Sequence, residues 1–282
     1  MKTGLVLEGG GMRGIYTAGV LDVFMEQGIC LDGVIGVSAG AIHGSTYVSG
    51  QKGRSIRYYR KYCADKRFMS VWSLIHTGDL VGREFCYKDL PERLDPFDYE
   101  AFEKSPMEFY VVCSNLETGK AEYLRLTDPR RQMDLLRASA SMPYVSHIVE
   151  FEGKKLLDGG CCDSIPVRAA FRLGFARSVV VLTQHDGYEK KQSHLHPEYL
   201  AYRKYPAFAK ALERRPVVYN RTLQKIREWE KQGKIFVIRP HQPLLVGRME
   251  HDPEKLQTVY DMGREDAEAS LEQLRTWLAA NA

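Results

Sequence analysis

Two glycine-rich segments near the start of the chain have residue types and spacing that suit chemistry on a carbonyl or phosphate group. Gly9, Gly11 and Gly14 satisfy G-x-G-x-x-G within LEGGGMRGI. Residues 36–40, GVSAG, satisfy G-x-S-x-G, the pattern of a nucleophile elbow in which a serine stands on a sharp turn between a strand and a helix. The first segment can bind a phosphate, as in a dinucleotide site, or an oxyanion formed when a nucleophile attacks an ester.

The elements around these segments predict a parallel βαβ unit. Residues 4–8 are predicted as a buried strand, 14–27 as a helix, and the apolar run at 34–37 as a second strand that leads into Ser38. A helix of small residues follows and ends near Gly50. Because the carboxyl ends of parallel strands meet at one edge of a sheet, we expect the glycine loop and Ser38 to be neighbours.

The second strand distinguishes a dinucleotide site from an oxyanion hole. A dinucleotide site needs an acidic residue at the end of that strand to bind the ribose, but Asp32 precedes the strand, which ends at Ser38. Backbone N–H groups of an uncrowded glycine loop can instead converge on the oxyanion, and the helix beginning near Ala39 adds its positive end. The α/β-hydrolase class is excluded, because its oxyanion loop lies well upstream of the elbow and its catalytic histidine lies late in the chain.

Three motifs in order resemble those of the patatin-like phospholipase family, as in its bacterial members: GGGMRG at 9–14, GVSAG at 36–40 and DGG at 158–160. The resemblance covers roughly residues 4–172. It implies an α/β fold of three α/β/α layers, with a mainly parallel central sheet and a mostly helical C-terminal extension. It also implies a catalytic dyad without histidine, in which Ser38 is the nucleophile and Asp158 takes its proton directly and later activates water against the acyl-enzyme.

The same resemblance assigns roles to the residues around the dyad. Arg13 either holds the loop in shape or contacts a phosphate of the substrate. The implied activity is hydrolysis of fatty-acyl esters, with a lipid or phospholipid as substrate and no cofactor. The oxyanion hole would be formed by Gly9, Gly10, Gly11 and Met12, and the supporting residues would be Arg13, Gly14, Gly36, Gly40, Gly159 and Gly160.

The rest of the chain is predicted to extend the sheet and then to become mainly helical. We predict a catalytic α/β domain at 1–185 and a mainly helical extension packed on it at 186–282. The predicted elements are two strands within 109–126, a helix at about 130–140, a hairpin within 147–160 that leads into Asp158, a helix starting around Asp163 to Pro166, strands at 177–183 and 234–240, and a helix at about 253–279.

Composition points to an ordinary globular protein of 282 residues, with 44% hydrophobic and 27% charged residues. The sequence holds no apolar run long enough for a membrane span and no signal-peptide core, so we expect a cytoplasmic protein or one peripheral to a membrane. Six cysteines occur without a C-x-x-C pair, which indicates reduced, mostly buried thiols. No acidic cluster suggests calcium, and we predict activity independent of metal ions.

Basic residues concentrate between positions 190 and 239, where thirteen Lys and Arg stand against four Asp and Glu. One explanation is a solvated helix face that pairs with the acidic stretch from Glu250 to Glu272. The other is a surface for anionic lipid head groups. Nucleic acid is not an expected partner, because no recognised binding motif accompanies the charge.

An apolar cluster and four histidines have two interpretations each. The cluster is either an acyl-chain wall or lid, or an ordinary helix packed on the sheet. The histidines are interpreted as packing or spectator residues rather than catalytic groups or a metal site. The cluster comprises Phe68, Met69, Val71, Trp72, Leu74 and Ile75, and the histidines are His43, His147, His194 and His196.

The leading hypothesis is therefore a lipid acyl hydrolase that uses Ser38 and Asp158. The alternative is a non-catalytic lipid- or phosphate-binding protein on the same fold, with residues 9–14 as an anion nest. A third hypothesis is that the acyl group is transferred to an alcohol instead of to water. A binding protein would have no need of a serine on a strained elbow together with Asp158, which favours the enzyme.

Overall fold

A twisted sheet of eight strands organises residues 1–280, which are the residues that the computed structural model describes. The order along the sheet is β5-β6-β3-β2-β1-β7-β8, and β4 also pairs with β3. Neighbours from β3 through β8 in this order run parallel, while β4, β5 and β6 pair antiparallel. The strands are β1 (Thr3–Leu7), β2 (Gly33–Val37), β3 (Glu108–Asn115), β4 (Lys120–Arg125), β5 (Val149–Phe151), β6 (Lys154–Asp158), β7 (Arg177–Val181) and β8 (Ile235–Ile238).

Helices cover both faces of this sheet and complete the predicted three-layer α/β/α fold. A ten-residue π-helical segment spans Phe85–Leu94, and short 3-10 turns span Gly11–Gly14 and Gly159–Cys161. The α-helices are α1 (Ile15–Glu26), α2 (Ala39–Val48), α3 (Arg54–Tyr62), α4 (Val71–Thr77), α5 (Tyr99–Lys104), α6 (Pro129–Ala140), α7 (Val167–Arg172), α8 (Glu198–Ala201), α9 (Pro206–Lys231) and α10 (Pro253–Ala279).

Alternating side chains of the central strands belong to two separate hydrophobic cores. Leu5 and Leu7 of β1 pack into the core shared with α1, α2, α3 and α10. Val6, between them, points to the opposite face and joins the core with Leu223 and Ile226 of α9. Successive strand side chains point to opposite faces, so a strand covered by helices on both sides is apolar throughout. This is why the sequence shows these strands as uninterrupted apolar runs.

The observed elements agree with most of the predicted ones, including the parallel β1 and β2, the hairpin β5–β6 and α10. Two strands are shorter than predicted. The strand expected at 234–240 is β8, Ile235–Ile238, and β7 ends at Val181, where the N–H of Thr183 donates to the Glu8 carboxylate at 2.7 Å rather than continuing a ladder. The helix expected from around Asp163 begins at Val167, because the chain first makes the 3-10 turn and Pro166 caps the helix.

The C-terminal region shares the sheet and the helix layers with the rest of the chain. β8 pairs with β7 in parallel, and α10 packs along α1. The division at residues 185 and 186 stays a prediction. None of the helices within residues 1–280 is long and apolar enough to cross a membrane.

The explanation of the basic stretch by pairing with the acidic one is wrong for the described part of the chain. The salt bridges of residues 1–280 include none between 190–239 and 250–272. Glu254 of α10 instead pairs with Arg60, and Arg264 pairs with Glu26 and Glu268. The physical reason is position: α10 packs on α1, whereas α9 covers the opposite face of the sheet.

Two glycines allow α1 and α10 to approach closely. A Cβ on Gly263 would lie 2.1 Å from the carbonyl oxygen of Tyr16, and a Cβ on Gly19 would lie 2.1 Å from that of Tyr260. Both distances are far below van der Waals contact with backbone, which cannot rotate away. The helix pair therefore depends on glycine at both positions.

We expect Gly263→Ala to lower the free energy of unfolding by about 1–3 kcal/mol, the usual cost of overpacking. Without a clash, replacing glycine by alanine in a helix interior would stabilise the protein by about 0.5–1 kcal/mol, so a lower free energy of unfolding indicates the clash. Chemical denaturation measures this free energy for the wild type and the variant. Gly247→Ala is the matched control, since the nearest atom to its Cβ is 3.5 Å away and little change is expected. A Gly263→Ala protein as stable as the control would contradict the close approach.

Candidate active site

Ser38 stands on the turn between β2 and α2 in a backbone conformation that residues other than glycine rarely adopt. Its φ is +53° and its ψ is −122°. Such a conformation costs of order 1–3 kcal/mol and persists only where the surroundings enforce it. The flanking glycines provide the space for the turn: a Cβ on Gly40 would lie 2.6 Å from the Leu7 carbonyl oxygen, and one on Gly36 would lie 2.5 Å from the Ala41 Cα.

Strand β3 brings Ser38 and Asp158 to the same place. Val37, which precedes Ser38, is opposite Val112, and Asp158 is opposite the next residue, Cys113. The two predicted catalytic residues therefore lie next to each other along one edge of β3, although 120 positions separate them in the chain. Gly159 allows the chain to turn here, because a Cβ on it would lie 2.2 Å from the Val112 carbonyl oxygen.

Ser139 holds the Ser38 turn against β3. Its hydroxyl accepts the N–H of Ser38 at 2.8 Å and donates to the carbonyl of Val112 at 2.6 Å. Ser139 is fully buried, so no water can replace it. The sequence analysis missed this role, although Ser139 lies in the ASASMP segment at 138–143 just ahead of the hairpin.

Asp158 is enclosed and has hydrogen bonds that orient its carboxyl group. Ser38 and Asp158 are 8% and 7% exposed. The N–H of Gly160 donates to Oδ1 of Asp158 at 2.7 Å. Burial raises the pKa of Asp158, and the charge of Arg215, the nearby Ser38 hydroxyl and the Gly160 N–H lower this pKa only in part. A carboxylate that is more basic than usual and lies near a serine hydroxyl can accept its proton.

The glycine loop lies against Ser38, as predicted. A Cβ on Gly9 would lie 3.1 Å from the Ser38 Cβ, and one on Gly14 would lie 2.5 Å from that of Ala39. The N–H of Met12 donates to the carbonyl of Arg248 at 3.1 Å, so this amide is already engaged. The N–H groups of Gly9, Gly10 and Gly11 in this loop have no backbone hydrogen-bond partner within residues 1–280.

A buried carboxylate lies beneath this loop, and the sequence analysis did not assign it. Glu8 accepts the Tyr219 hydroxyl at 2.6 Å and the Thr183 N–H at 2.7 Å. Burial raises the pKa of Glu8. A charged residue that directly follows an apolar strand was the available signal. Its partners could not be inferred, because Tyr219 and Thr183 come from distant parts of the chain.

Two cavities meet at Ser38. The apolar pocket, of about 80 Å³, is lined by Ile42, Tyr58, Tyr59, Phe68, Met69 and Leu90 among others. The charged cavity, of about 830 Å³, is lined by Arg13, Asp158, Lys190, Arg215 and Arg248 among others. Gly11, Ser38 and Met142 border both. A volume of about 300–1,000 Å³ is usual for small-molecule sites.

Some side chains of the apolar cluster at 68–75 line this site, and others are exposed to solvent. Phe68 and Met69 line the apolar pocket. Val71, Trp72 and Ile75 are exposed, so α4 does not pack its apolar face on the sheet, and Leu74 is half-buried.

The four histidines lie outside the pair formed by Ser38 and Asp158. His43 is buried beside Ser55, and burial lowers its pKa to about 3. His147 is largely exposed and bonds Asp79, while His196 bonds Glu198. Residues 1–280 hold no group of three or more His, Cys, Asp or Glu that could bind a metal. Their six cysteines are free, and three of them are buried.

Comparison with known proteins agrees with this arrangement. Residues 5–171 match the patatin-like phospholipase family, and this chain belongs to that family. Residues 205–279 match a family described as a domain of unknown function, DUF6363.

Two relatives each match a little under two thirds of the chain. The uncharacterized protein YjjU of Escherichia coli is 32% identical over 192 residues, which cover 64% of this chain and 52% of that protein. Lysophospholipase NTE1 of Lodderomyces elongisporus is 30% identical over 180 residues, covering 61% of this chain and 12% of the yeast protein. The chain thus spans about half of the bacterial relative and a small part of the yeast one. VipD from Legionella pneumophila aligns over 96% of this chain and 67% of its own with a TM-score of 0.48 and 14% identity.

We expect Ser139→Ala to lower the free energy of unfolding by about 1–3 kcal/mol, because it leaves the Ser38 N–H and the Val112 carbonyl buried without partners. Denaturant titration measures the change. Ser45→Ala is the matched control: Ser45 is also buried, but its hydroxyl bonds only Ile42 of its own helix, so a smaller effect is expected. Equal effects of the two substitutions would contradict the bracing role of Ser139.

Proposed function

We propose that this protein is a serine lipid acyl hydrolase that cleaves fatty-acyl esters through an acyl-enzyme, with Ser38 as nucleophile and Asp158 as general base. The observation that carries the proposal is the strained Ser38 beside a buried Asp158 in the lining of one cavity, at the junction of an apolar pocket and a charged cavity. Family membership supports the same conclusion.

In each of the two halves of the proposed reaction, Asp158 takes one proton and gives it back. Asp158 takes the proton of the Ser38 hydroxyl as the serine oxygen bonds to the ester carbonyl carbon. The resulting tetrahedral oxyanion collapses, the bond to the alcohol oxygen breaks, and Asp158 returns the proton to that oxygen. Water, deprotonated by Asp158, then releases the acid and restores the Ser38 hydroxyl. An alcohol in place of water would give acyl transfer.

In this proposal the oxyanion hole consists of the amides of Gly9, Gly10 and Gly11. Met12 is omitted, because its N–H already donates to Arg248. N–H donors stabilise the developing oxyanion most when they already point at it and need not reorganise during the reaction. The 3-10 turn at Gly11–Gly14 and the contact of Gly14 with Ala39 support the position of the loop.

The two cavities suggest how an ester lies across Ser38. The acyl chain would enter the apolar pocket, and the alcohol part would occupy the charged cavity. The exposed Val71, Trp72 and Ile75, next to the pocket residues Phe68 and Met69, support peripheral contact with a lipid surface. Tryptophan favours the membrane–water interface, and Lys66 packs over Trp72 at 4.6 Å.

We expect a fluorophosphonate to form one adduct, on Ser38, and to form none with Ser38→Ala. Asp158→Asn, which keeps the shape but cannot take the proton, should slow labelling by about 10²–10⁴-fold. Intact-mass and peptide analysis measure the adduct, after each protein is shown to be folded. Ser45→Ala should label like the wild type. A folded wild type that is not labelled would favour the non-catalytic binding protein.

We expect the rate of labelling to fall as the pH falls through the pKa of Asp158, because the base must be ionised. Burial raises this pKa, so the midpoint should lie above the ordinary aspartate value of about 3.9. Rate against pH measures the midpoint, and Asp158→Asn should lack this acid limb. A midpoint below the ordinary value, or the same limb in the asparagine variant, would argue against Asp158 as base.

A further inference from the structure

Four cationic side chains converge on the charged cavity beside the Ser38–Asp158 pair. They are Arg13, Lys190, Arg215 and Arg248, which we call the cation cluster. Only Arg13 lies within residues 5–171, the part that matches the patatin-like family. Lys190 comes from the loop after β7, Arg215 from α9, and Arg248 from the segment before α10. The C-terminal region therefore supplies most of this positive charge.

The cluster lies against the groups proposed to react. The Arg248 carbonyl accepts the Met12 N–H at 3.1 Å, and a Cβ on Gly11 would lie 2.7 Å from the same oxygen. Arg215 approaches from the other side: its Nη2 lies 3.3 Å from where a Cβ on Gly160 would stand. Both arginines line the same cavity as Ser38.

The charges of Glu8 and Asp158 act on Lys190 and Arg248, but they do so without direct ion pairs within residues 1–280. Among residues 1–280, none of the four forms a salt bridge, and the Nε atoms of Arg13 and Arg215 are buried without a hydrogen bond. Lys190 Nζ lies 3.9 Å from the centre of the Tyr219 ring. Burial and the charge of Arg215 lower the pKa values of Lys190 and Arg248. Crowded, partly buried cations are costly, and a bound anion would relieve this cost.

The acidic side chains that line the cavity do not neutralise the cluster by direct pairing. Both carboxylate oxygens of Glu8 accept hydrogen bonds from Tyr219 and Thr183. Glu198 bonds His196 at 2.9 Å. Glu189 and Lys191, also in the lining, are exposed and of opposite charge. Asp158 is the remaining carboxylate of the lining, and the charges of Arg215 and Arg248 act on it.

We propose that the cation cluster binds a phosphomonoester on the alcohol part of the substrate, so that the protein selects acylated glycerol phosphates over zwitterionic or neutral lipids. The proposal rests on the proposed hydrolase function and specifies its substrate class. A phosphomonoester carries up to two negative charges and three terminal oxygens, which match several arginine and lysine donors. A phosphocholine head group would bring a quaternary cation into the same positive cavity.

The test compares three substrates that share one oleoyl chain: lysophosphatidic acid, lysophosphatidylcholine and monooleoylglycerol. Rates are measured below micelle-forming concentrations and at a pH well above the acid limb of Asp158, so that an effect of Arg215 on that carboxylate does not change them. We expect the wild type to show the highest kcat/KM for lysophosphatidic acid. The selectivity is the ratio of its kcat/KM to that for monooleoylglycerol.

We expect Arg215→Met and Arg248→Met each to lower this ratio by about 10- to 100-fold, mainly through KM, because a hydrogen bond to a charged group is worth about 1.5–3 kcal/mol. Arg214→Met is the matched control: Arg214 is the exposed neighbour of Arg215 on α9, and the ratio should not change. If Arg215→Met does not fold, Arg248→Met carries the test, since Arg248 lies in the loop before α10 and is more exposed than Arg215.

A binding measurement separates this inference from the hydrolase itself. Calorimetry with Ser38→Ala should show lysophosphatidic acid binding more tightly than monooleoylglycerol, and Arg215→Met in that background should remove the difference. If the wild type hydrolyses none of the three lipids but this difference is found, the hydrolase proposal fails and the phosphate site stands. A wild type that prefers lysophosphatidylcholine, equal binding of the two lipids, or an equal loss on all three substrates would overturn the phosphate site.

Discussion

The register of β3 is the constraint on which the rest of the site depends. One edge of this strand pairs with β2 over Glu108 to Val112 and with β6 from Cys113 onward, so the residue after β2 and the last residue of β6 are placed side by side. A shift of one residue in either pairing would turn alternate side chains to the other face of the sheet. The two hydrophobic cores oppose such a shift, since Val111 and Val112 belong to different cores.

The strain at Ser38 is sustained by contacts on several sides. Gly36 lets the start of α2 fold back on β2, Gly40 lets α2 approach Leu7 and Glu8, and the Ser139 hydroxyl accepts the Ser38 N–H. The energy stored in one unfavourable φ is of order 1–3 kcal/mol, which a well-packed surrounding can offset. At Gly36 and Gly40 a backbone atom lies too close for a Cβ, and at Gly9 the Ser38 side chain and the Val37 carbonyl leave little room for one.

Burial and charge around the pair act in opposite directions, and their balance defines the proposed chemistry. Burial makes the Asp158 carboxyl more basic, while the charge of Arg215 and the hydrogen bond from the Gly160 N–H favour its ionised form. Arg215 also lines the charged cavity, so in the proposed reaction substrate charge and base strength are linked through one side chain. Because Arg215 lies in α9, the C-terminal region contributes to the candidate site as well as to the sheet.

The sequence by itself determined the local features of this protein. Apolar runs located the buried strands, the glycine spacing marked the loop and the elbow, and motif order indicated the family, because strand burial and tight turns leave their requirements in neighbouring residues. Tertiary structure alone decided which distant residues meet: Ser139 behind Ser38, Tyr219 on Glu8, the Arg248 carbonyl on the Met12 amide, and the arginines around the cavity. The basic stretch at 190–239 was visible as charge, but whether a lysine or arginine faces water or a cavity depends on helix orientation. That orientation results from packing across the whole sheet, which no local pattern records.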